Sequence, residues 1–281
     1  MVLSVIVPLF KLSKGSNLIL LNNLLTSVFT SLTNSLLQPN DYEVILVNDC
    51  PNENYEEEIH AFCNKAGFTE VRYFTNKINI GQAASRNVGA NYSKGELLHF
   101  IDQDDFINKD FYSSLLKIYS NIRFAVAYIV RDSLSPKMYS NQRYLSKIKQ
   151  SSFLNQLYLI HFANVAVSPG QYLVERKVYK AVGGFPELKT RGADDYGFLY
   201  LLMAKNDCTV GVAEDALFYY RLHSNQNRNT SSMDKSVAEF FHYSNSTGTI
   251  KDQFLRTIQT RFPLIHRIIR KCVSLYFFNR V

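Results

Sequence analysis

Apolar and polar positions change period in regular blocks along the first hundred residues. Residues 3–8, Leu-Ser-Val-Ile-Val-Pro, are a short, mostly β-branched apolar run closed by proline, the pattern of a buried strand that ends at a loop. Over 17–37 the apolar residues Leu18, Leu21, Leu24, Leu25, Val28, Phe29 and Leu32 recur at helical spacing. The same alternation then repeats, with strands expected over 42–47, 70–74 and 97–101 and helices over 54–66 and 82–92. Strands separated by helices predict a parallel, doubly wound α/β sheet. Such sheets bind ligands at the carboxyl ends of their strands, so 8–15, 48–52, 75–87 and 102–105 form one candidate site.

The middle of the chain has a weaker pattern. It predicts a helix over 111–119, a strand over 124–130, a polar stretch rich in Ser, Lys and Gln over 133–152 and a helix over 153–163. Residues 178–186 read as a helix closed by Gly183 and Gly184, and Asp194-Asp195 opens another through about residue 205. An aromatic strand over 218–223 and a polar loop over 224–232 follow, and no internal repeat is present. After Pro263, the residues Leu264, Ile265, Ile268, Ile269, Cys272, Val273, Tyr276 and Phe277 make one helical stripe, with His266, Arg267, Arg270 and Lys271 between them. A basic amphipathic helix of this kind suits a membrane interface, and equally suits packing on the body or on a second subunit.

Composition sharpens this picture. With 281 residues, 46% of them hydrophobic, the chain can bury a full core, which excludes disorder as its main state. The formal charge of +7 is uneven: residues 251–281 hold seven Lys or Arg against one acid, Asp252, leaving the body almost neutral. A near-neutral body argues against nucleic acid as the partner. The four cysteines lie far apart without CxxC spacing, so neither a disulfide framework nor a zinc site is expected, and a reducing cytoplasm fits. The N-terminus lacks a basic region before its apolar run, and no stretch of about 18 apolar residues occurs, so a soluble or peripheral protein is expected.

The candidate chemistry is acidic. Asp102, Asp104 and Asp105 end an apolar strand, where carboxylates two apart can converge on a hard divalent cation; a solvated acidic loop capping the next helix fits the same spacing. Asp194-Asp195 reads either as helix-capping acid or as a pair containing a general base. A lone histidine such as His223 is more often structural than a ligand. Arg86 and Asn87 could meet a phosphate through the guanidinium fork, or could be ordinary surface residues.

Taken together, these segments resemble the inverting family-2 glycosyltransferases with a GT-A nucleotide-sugar-binding fold. The matching segments are Ser4-Val-Ile-Val-Pro8, Glu43-Val-Ile-Leu-Val-Asn-Asp49, the NxGxxxARNxG-like run from Asn79 to Gly89, Phe100-Ile-Asp-Gln-Asp-Asp105, Gly183-Gly-Phe-Pro-Glu187, Asp194-Asp195 and Tyr220-Arg-Leu-His223. They occur in the family's order from residue 3 to about 225. The resemblance implies a mixed, mainly parallel sheet flanked by helices: a glycosyltransferase domain over 1–235, with a nucleotide-binding half to about 105 and an acceptor-binding half from about 106. A helical, basic extension would occupy 236–281.

It also implies an enzyme that moves a sugar from a nucleotide-sugar donor, in the first place a UDP-sugar, to a saccharide or lipid-linked acceptor, with Mn2+ or Mg2+. Pro8, Leu9 and Phe10 would line the nucleobase pocket, and Asp49 would bond the base or ribose. Asn79, Gly81, Arg86 and Gln103 would help hold the donor. Asp102 would contact ribose or sugar and share the metal with Asp104 and His223, and Asp195 would be the catalytic base with Asp194 beside it. The sequence departs from the family at Asn48 and Cys50-Pro51, where a second aspartate and a glycine are usual, and at Asp194, where glutamate is usual. Synthesis of surface polysaccharide or glycolipid on the inner face of a membrane, with the tail on anionic lipid, would fit this role. A sugar nucleotidyltransferase uses a similar sheet, but no Gly-rich basic phosphate loop follows the first strand. A non-catalytic binding module is the remaining alternative; ordered acidic motifs argue against it.

Overall fold

The computed structural model describes residues 1–119, 124–132, 168–190, 192–205, 210–221 and 230–243, with positions 257–258, 261–262, 264–266, 268–269 and 272. The polar stretch over 133–152, the helix expected over 153–163 and His223 lie outside these residues. The strands are β1 (Leu3–Leu9), β2 (Tyr42–Asn48), β3 (Val71–Thr75), β4 (Leu97–Phe100), β5 (Phe106–Ile107), β6 (Phe124–Asp132), β7 (Leu173–Glu175) and β8 (Val210–Arg221). The helices are α1 (Asn17–Thr33), α2 (Glu56–Lys65), α3 (Gln82–Tyr92), α4 (Phe111–Tyr119), α5 (Arg176–Val182), α6 (Asp194–Lys205) and α7 (Thr230–Tyr243).

The main sheet has the order β3-β2-β1-β4-β7. Its first four strands are parallel, with Val5 opposite both Val44 and His99, whereas β7 joins the edge antiparallel through Leu98 opposite Val174. Every position of β2 is buried, as expected of a strand covered on both faces. Successive side chains feed two cores. Ile6, Ile45 and Val47 pack with Leu98, Phe100, Tyr179 and Phe198, while Val5, Val7, Val44 and Leu46 pack with Leu21, Leu25 and Val28 of α1. The mixed, mainly parallel sheet flanked by helices agrees with the expected fold class.

Two details position the site. The small residues of α3 let it lie close on the sheet: a Cβ added at Gly89 would stand 2.5 Å from Ile6 Cγ2. A second sheet, β5-β8-β6, then anchors the segment after β4, with Phe106 opposite Tyr219. Within it β6 and β8 run parallel with a register break after Ala127. Helix α7 begins inside the expected polar loop and runs through residue 235, the expected boundary; its Phe240 and Phe241 are buried against Tyr200 in the core. Further on, the described tail positions 257–258, 264–266, 268–269 and 272 are helical. There Phe262, Leu264, Ile265 and Ile268 are 48–71% exposed, and His266 is buried. Among the described residues no helix is long and apolar enough to cross a membrane.

Candidate active site

The carboxyl ends of β1, β2, β3 and β4 meet the start of α6. At the end of β1, Pro8 is half-buried and Phe10 is 40% exposed, but Leu9 is fully buried in the core and lines no open surface, contrary to the expected nucleobase contact. Gln103 grips the Phe10 backbone twice: Phe10 N–H donates to Oε1 (2.8 Å), and Nε2 donates to the Phe10 carbonyl (3.0 Å).

At the end of β2, Asn48 shapes the following turn. Its amide donates to the carbonyls of Cys50 (3.2 Å) and Glu53 (2.7 Å), and its Oδ1 accepts from Cys50 N–H (2.9 Å). A carboxylate could not donate these two bonds, which accounts for Asn in place of the family's aspartate. The Asp49 carboxylate is buried and turned toward the loop after β3. It accepts from Asn76 Nδ2 (2.9 Å) and from the backbone N–H groups of Ile80 (2.8 Å) and Gly81 (2.8 Å). Asn79 Nδ2 donates to the Asp49 carbonyl (3.1 Å). Asp49, Asn79 and Gly81 therefore form one loop clasp, and in this structure Asp49 engages the protein's own backbone where a base contact was expected.

Arg86 also departs from its expected place. It is fully buried, with its guanidinium 5.1 Å from the Phe185 ring centroid. Nη2 donates to Asp102 Oδ1 (2.6 Å), and Nη1 donates to Asp195 Oδ1 (2.7 Å) and Asp194 Oδ2 (3.3 Å). Burial alone would lower its pKa, but Asp102, Asp195 and Asp194 outweigh burial and hold it above its ordinary value. The neighbouring Asn87 is a staple. Its Oδ1 accepts from Tyr179 O–H (2.6 Å) and Phe185 N–H (2.9 Å), and its Nδ2 donates to the Phe185 carbonyl (3.0 Å) and Glu187 (3.0 Å). A Cβ at Gly184, whose φ is +80°, would stand 2.7 Å from Asn87 Oδ1. The run from Asn79 to Gly89 and the Gly183-Gly184-Phe185 segment are thus in direct contact.

The pair opening α6 has two different environments. Asp194 is 10% exposed and receives Gln82 Nε2 (3.0 Å) as well as Arg86; Asp195 is 27% exposed. Burial, with Asp194 and Asp102 adding to it, pushes the Asp195 carboxyl up to about 8 against the pull of Arg86. Gln82 was not anticipated from the sequence, where one glutamine at a helix start carries no signal.

The acidic turn offers only oxygen donors, suited to a hard cation. Asp105 is buried; Oδ1 accepts from Arg221 N–H (3.0 Å), while Oδ2 is buried without a hydrogen-bond partner. Burial, then Asp102 and Asp104, raises its pKa well above the usual carboxylate range. Tyr220, on β8 beside the turn, is pushed up to about 12 by burial and by Asp105, Asp102 and Asp104. An excess of negative charge with an unpartnered buried oxygen fits a divalent cation near this turn. Among the described residues no three His, Cys, Asp or Glu side chains already converge as a ligand set.

A mixed, mainly parallel sheet with an acidic turn after its β4 strand, tied through Arg86 to a second acidic pair, is the architecture of a GT-A glycosyltransferase fold. The chain belongs to the glycosyltransferase-like family 2, whose sequence profile matches residues 4–243. It is 25% identical over 254 residues to an uncharacterized glycosyltransferase of Haemophilus influenzae, covering 84% of this chain and 79% of that protein. It is 22% identical to the poly(ribitol-phosphate) β-N-acetylglucosaminyltransferase TarS of Staphylococcus aureus, covering 77% of this chain but 35% of TarS. Residues 1–349 of TarS in complex with UDP-GlcNAc superpose with a TM-score of 0.60 at 19% identity, over 91% of this chain and 78% of that one. A mannosyltransferase of Pyrobaculum calidifontis with GDP-Man and Mn2+ gives a TM-score of 0.63 at 13% identity, over 88% and 65%.

Proposed function

We propose that this glycosyltransferase transfers a hexosyl or N-acetylhexosaminyl group from a UDP-sugar to a saccharide or lipid-linked acceptor, with inversion, in synthesis of a surface polysaccharide or glycolipid. The observation that carries the reading is the convergence of Asp102, from the end of β4, and Asp195, from the start of α6, on one buried guanidinium. The two carboxylates lie one side chain apart, which supports reading Asp102 as the donor-side and the partly exposed Asp195 as the acceptor-side group. UDP as the nucleotide is supported by the UDP-GlcNAc complex of TarS.

In this reading, Asp195 takes the acceptor hydroxyl's proton as that oxygen attacks the anomeric carbon from the face opposite the departing nucleotide. Its raised pKa suits proton uptake near neutrality. Phe10 offers an exposed ring at the nucleotide end of the cleft, held by Gln103. Asp104 and Asp102, joined by His223, are the residues that would hold Mn2+ or Mg2+, which supplies charge neutralisation to a leaving diphosphate when bound. Titration calorimetry of UDP with and without Mn2+, followed by a hydrolysis screen over UDP-, GDP- and dTDP-sugars, tests the proposal. UDP binding that is indifferent to metal would overturn metal dependence, and a preference for GDP- or dTDP-sugars would overturn the donor.

The exposed residues Phe262, Leu264, Ile265 and Ile268 in a strongly basic segment support placement of the tail on the anionic, cytoplasmic face of a membrane. Deletion of 251–281 is expected to abolish sedimentation with liposomes containing anionic lipid. Unchanged sedimentation would reassign the stripe to a protein contact.

A further inference from the structure

We infer that Arg86 is a positioning residue, one that sets the catalytic base relative to the donor turn and makes no contact with the nucleotide. The inference rests on the reading of Asp195 as the base. A guanidinium with no exposure cannot reach a bound diphosphate without leaving its partners. Both of its terminal nitrogens are engaged, Nη2 by Asp102 and Nη1 by Asp195 and Asp194, at 2.6, 2.7 and 3.3 Å. Its partners lie 16 and 108–109 positions away in the chain, on two different elements that the planar fork ties together.

The chemistry of the fork matters. A buried cation is tolerated only where its partners replace water well; three carboxylates do so at Nη1 and Nη2 while leaving the cluster negative, and Nε is buried without a hydrogen-bond partner. The fixed angle between Nη1 and Nη2 sets where Asp195 stands relative to Asp102. It also restrains one carboxylate oxygen, Oδ1, and leaves Asp195 Oδ2 to take a proton. The Phe185 ring, on the segment stapled by Asn87, lies against the guanidinium and fixes its plane. A lysine ammonium carries the same charge but no fork, so it can meet one element well and not both.

The experiment uses the full chain with Arg86→Lys, Arg86→Ala and Asp195→Asn, the probes being UDP for binding and UDP-GlcNAc with Mn2+ for turnover. Both Arg86 variants are expected to bind UDP within about threefold of wild type while kcat falls about 100-fold, the scale of a misplaced reacting group. Added guanidinium ion is expected to restore turnover to Arg86→Ala and not to Asp195→Asn. UDP affinity falling in step with kcat/KM would overturn the inference and return Arg86 to the nucleotide. Should Arg86→Ala not fold, Arg86→Lys decides by the same split. Should Asp195→Asn keep its turnover, the base reading fails and not the ion-pair geometry. A cycle of Arg86→Lys and Asp195→Asn in urea unfolding of the unliganded protein reads that geometry without any donor. Non-additive midpoints are expected, and additive ones would overturn the coupling.

Discussion

Asp194 and Asp195 are adjacent on one helical turn, and exchanging each for asparagine separates their roles. Asp195→Asn keeps the side-chain shape and an oxygen for Arg86, but removes the proton acceptor. General-base catalysis contributes about 10²–10⁴ in rate, so turnover should fall by that factor, equivalent to about 3–5 kcal/mol of barrier. UDP affinity should not change, because the loss falls on the acceptor side. Asp194→Asn should lower turnover less than about tenfold, since an amide oxygen can still accept from Gln82, which lies 3.0 Å from the carboxylate. It should instead move the pH profile. If Asp195 is the base it acts only when ionised, and its raised pKa should then set the acid limb of kcat/KM. Asp194 is one of the charges that raise it, so removing that charge favours the ionised base and shifts the limb to lower pH. Initial rates of donor hydrolysis from about pH 5.5 to about 9.5, with calorimetry of UDP binding, measure both effects. Near wild-type turnover in Asp195→Asn, or an acid limb unmoved in Asp194→Asn, would refute the assignment.

Three further outcomes test the scaffold. His99 is buried on β4, with Nε2 donating to the Gly170 carbonyl and Nδ1 accepting from Tyr112 O–H; burial pushes it down to about 4. The unfolded chain takes up that proton near pH 6.5, so stability should fall by about 2 kcal/mol between pH 7 and pH 5, and urea midpoints of His99→Gln should show a flatter slope. A Cβ at Gly95 would stand 2.5 Å from Ser4 N, within the backbone of β1, so Gly95→Ala should cost about 3 kcal/mol. At Gly67 a Cβ meets nothing, and alanine there should cost only about 1 kcal/mol from the left-handed φ; equal denaturation midpoints for the two variants would contradict the packing. Asp49→Asn removes an acceptor facing Ile80 and Gly81, so these two amides should exchange faster and UDP should bind about tenfold more weakly. Unchanged amide protection would show the clasp to be dispensable.

The first half of the fold was legible because β1, β2 and β4 are buried on both faces, the edge strand β3 keeps a short β-branched and aromatic run, and the turns between them are polar. Apart from the end of α1, the expected ranges from β1 to β4 fall within a residue or two of those observed, and α3 and α4 match at both ends. Helix α1 stops at Thr33, short of residue 37, because the side chain of Asn34 turns to the Lys109 carbonyl and Asp110, leaving Leu36 in solvent. The short strands β5 and β7 span two and three residues, too few to show a period, and exist only through pairing with β8 and β4. The start of helix α7 was missed because 224–232 reads as a polar loop, and its buried side is carried by Ser236, Phe240 and Phe241 with Val237 packed beside them. Within the site, the acidic residues were legible by type and by their position at a strand or helix end. Their partners were not: that Arg86 faces inward to three carboxylates, or that Asp49 turns to the loop after β3, depends on distances across the sheet that no local pattern encodes.

The double bond of Gln103 to Phe10 bears on how a donor would enter. Gln103 stands inside the acidic turn and Phe10 inside the loop after β1, so two hydrogen bonds already tie these two segments together in the unliganded chain. If the donor binds there as proposed, part of the loop ordering that often slows and weakens binding is already made by these bonds. Donor association should then be a single fast phase whose rate follows concentration, with selectivity arising from fit rather than from closure around the guest.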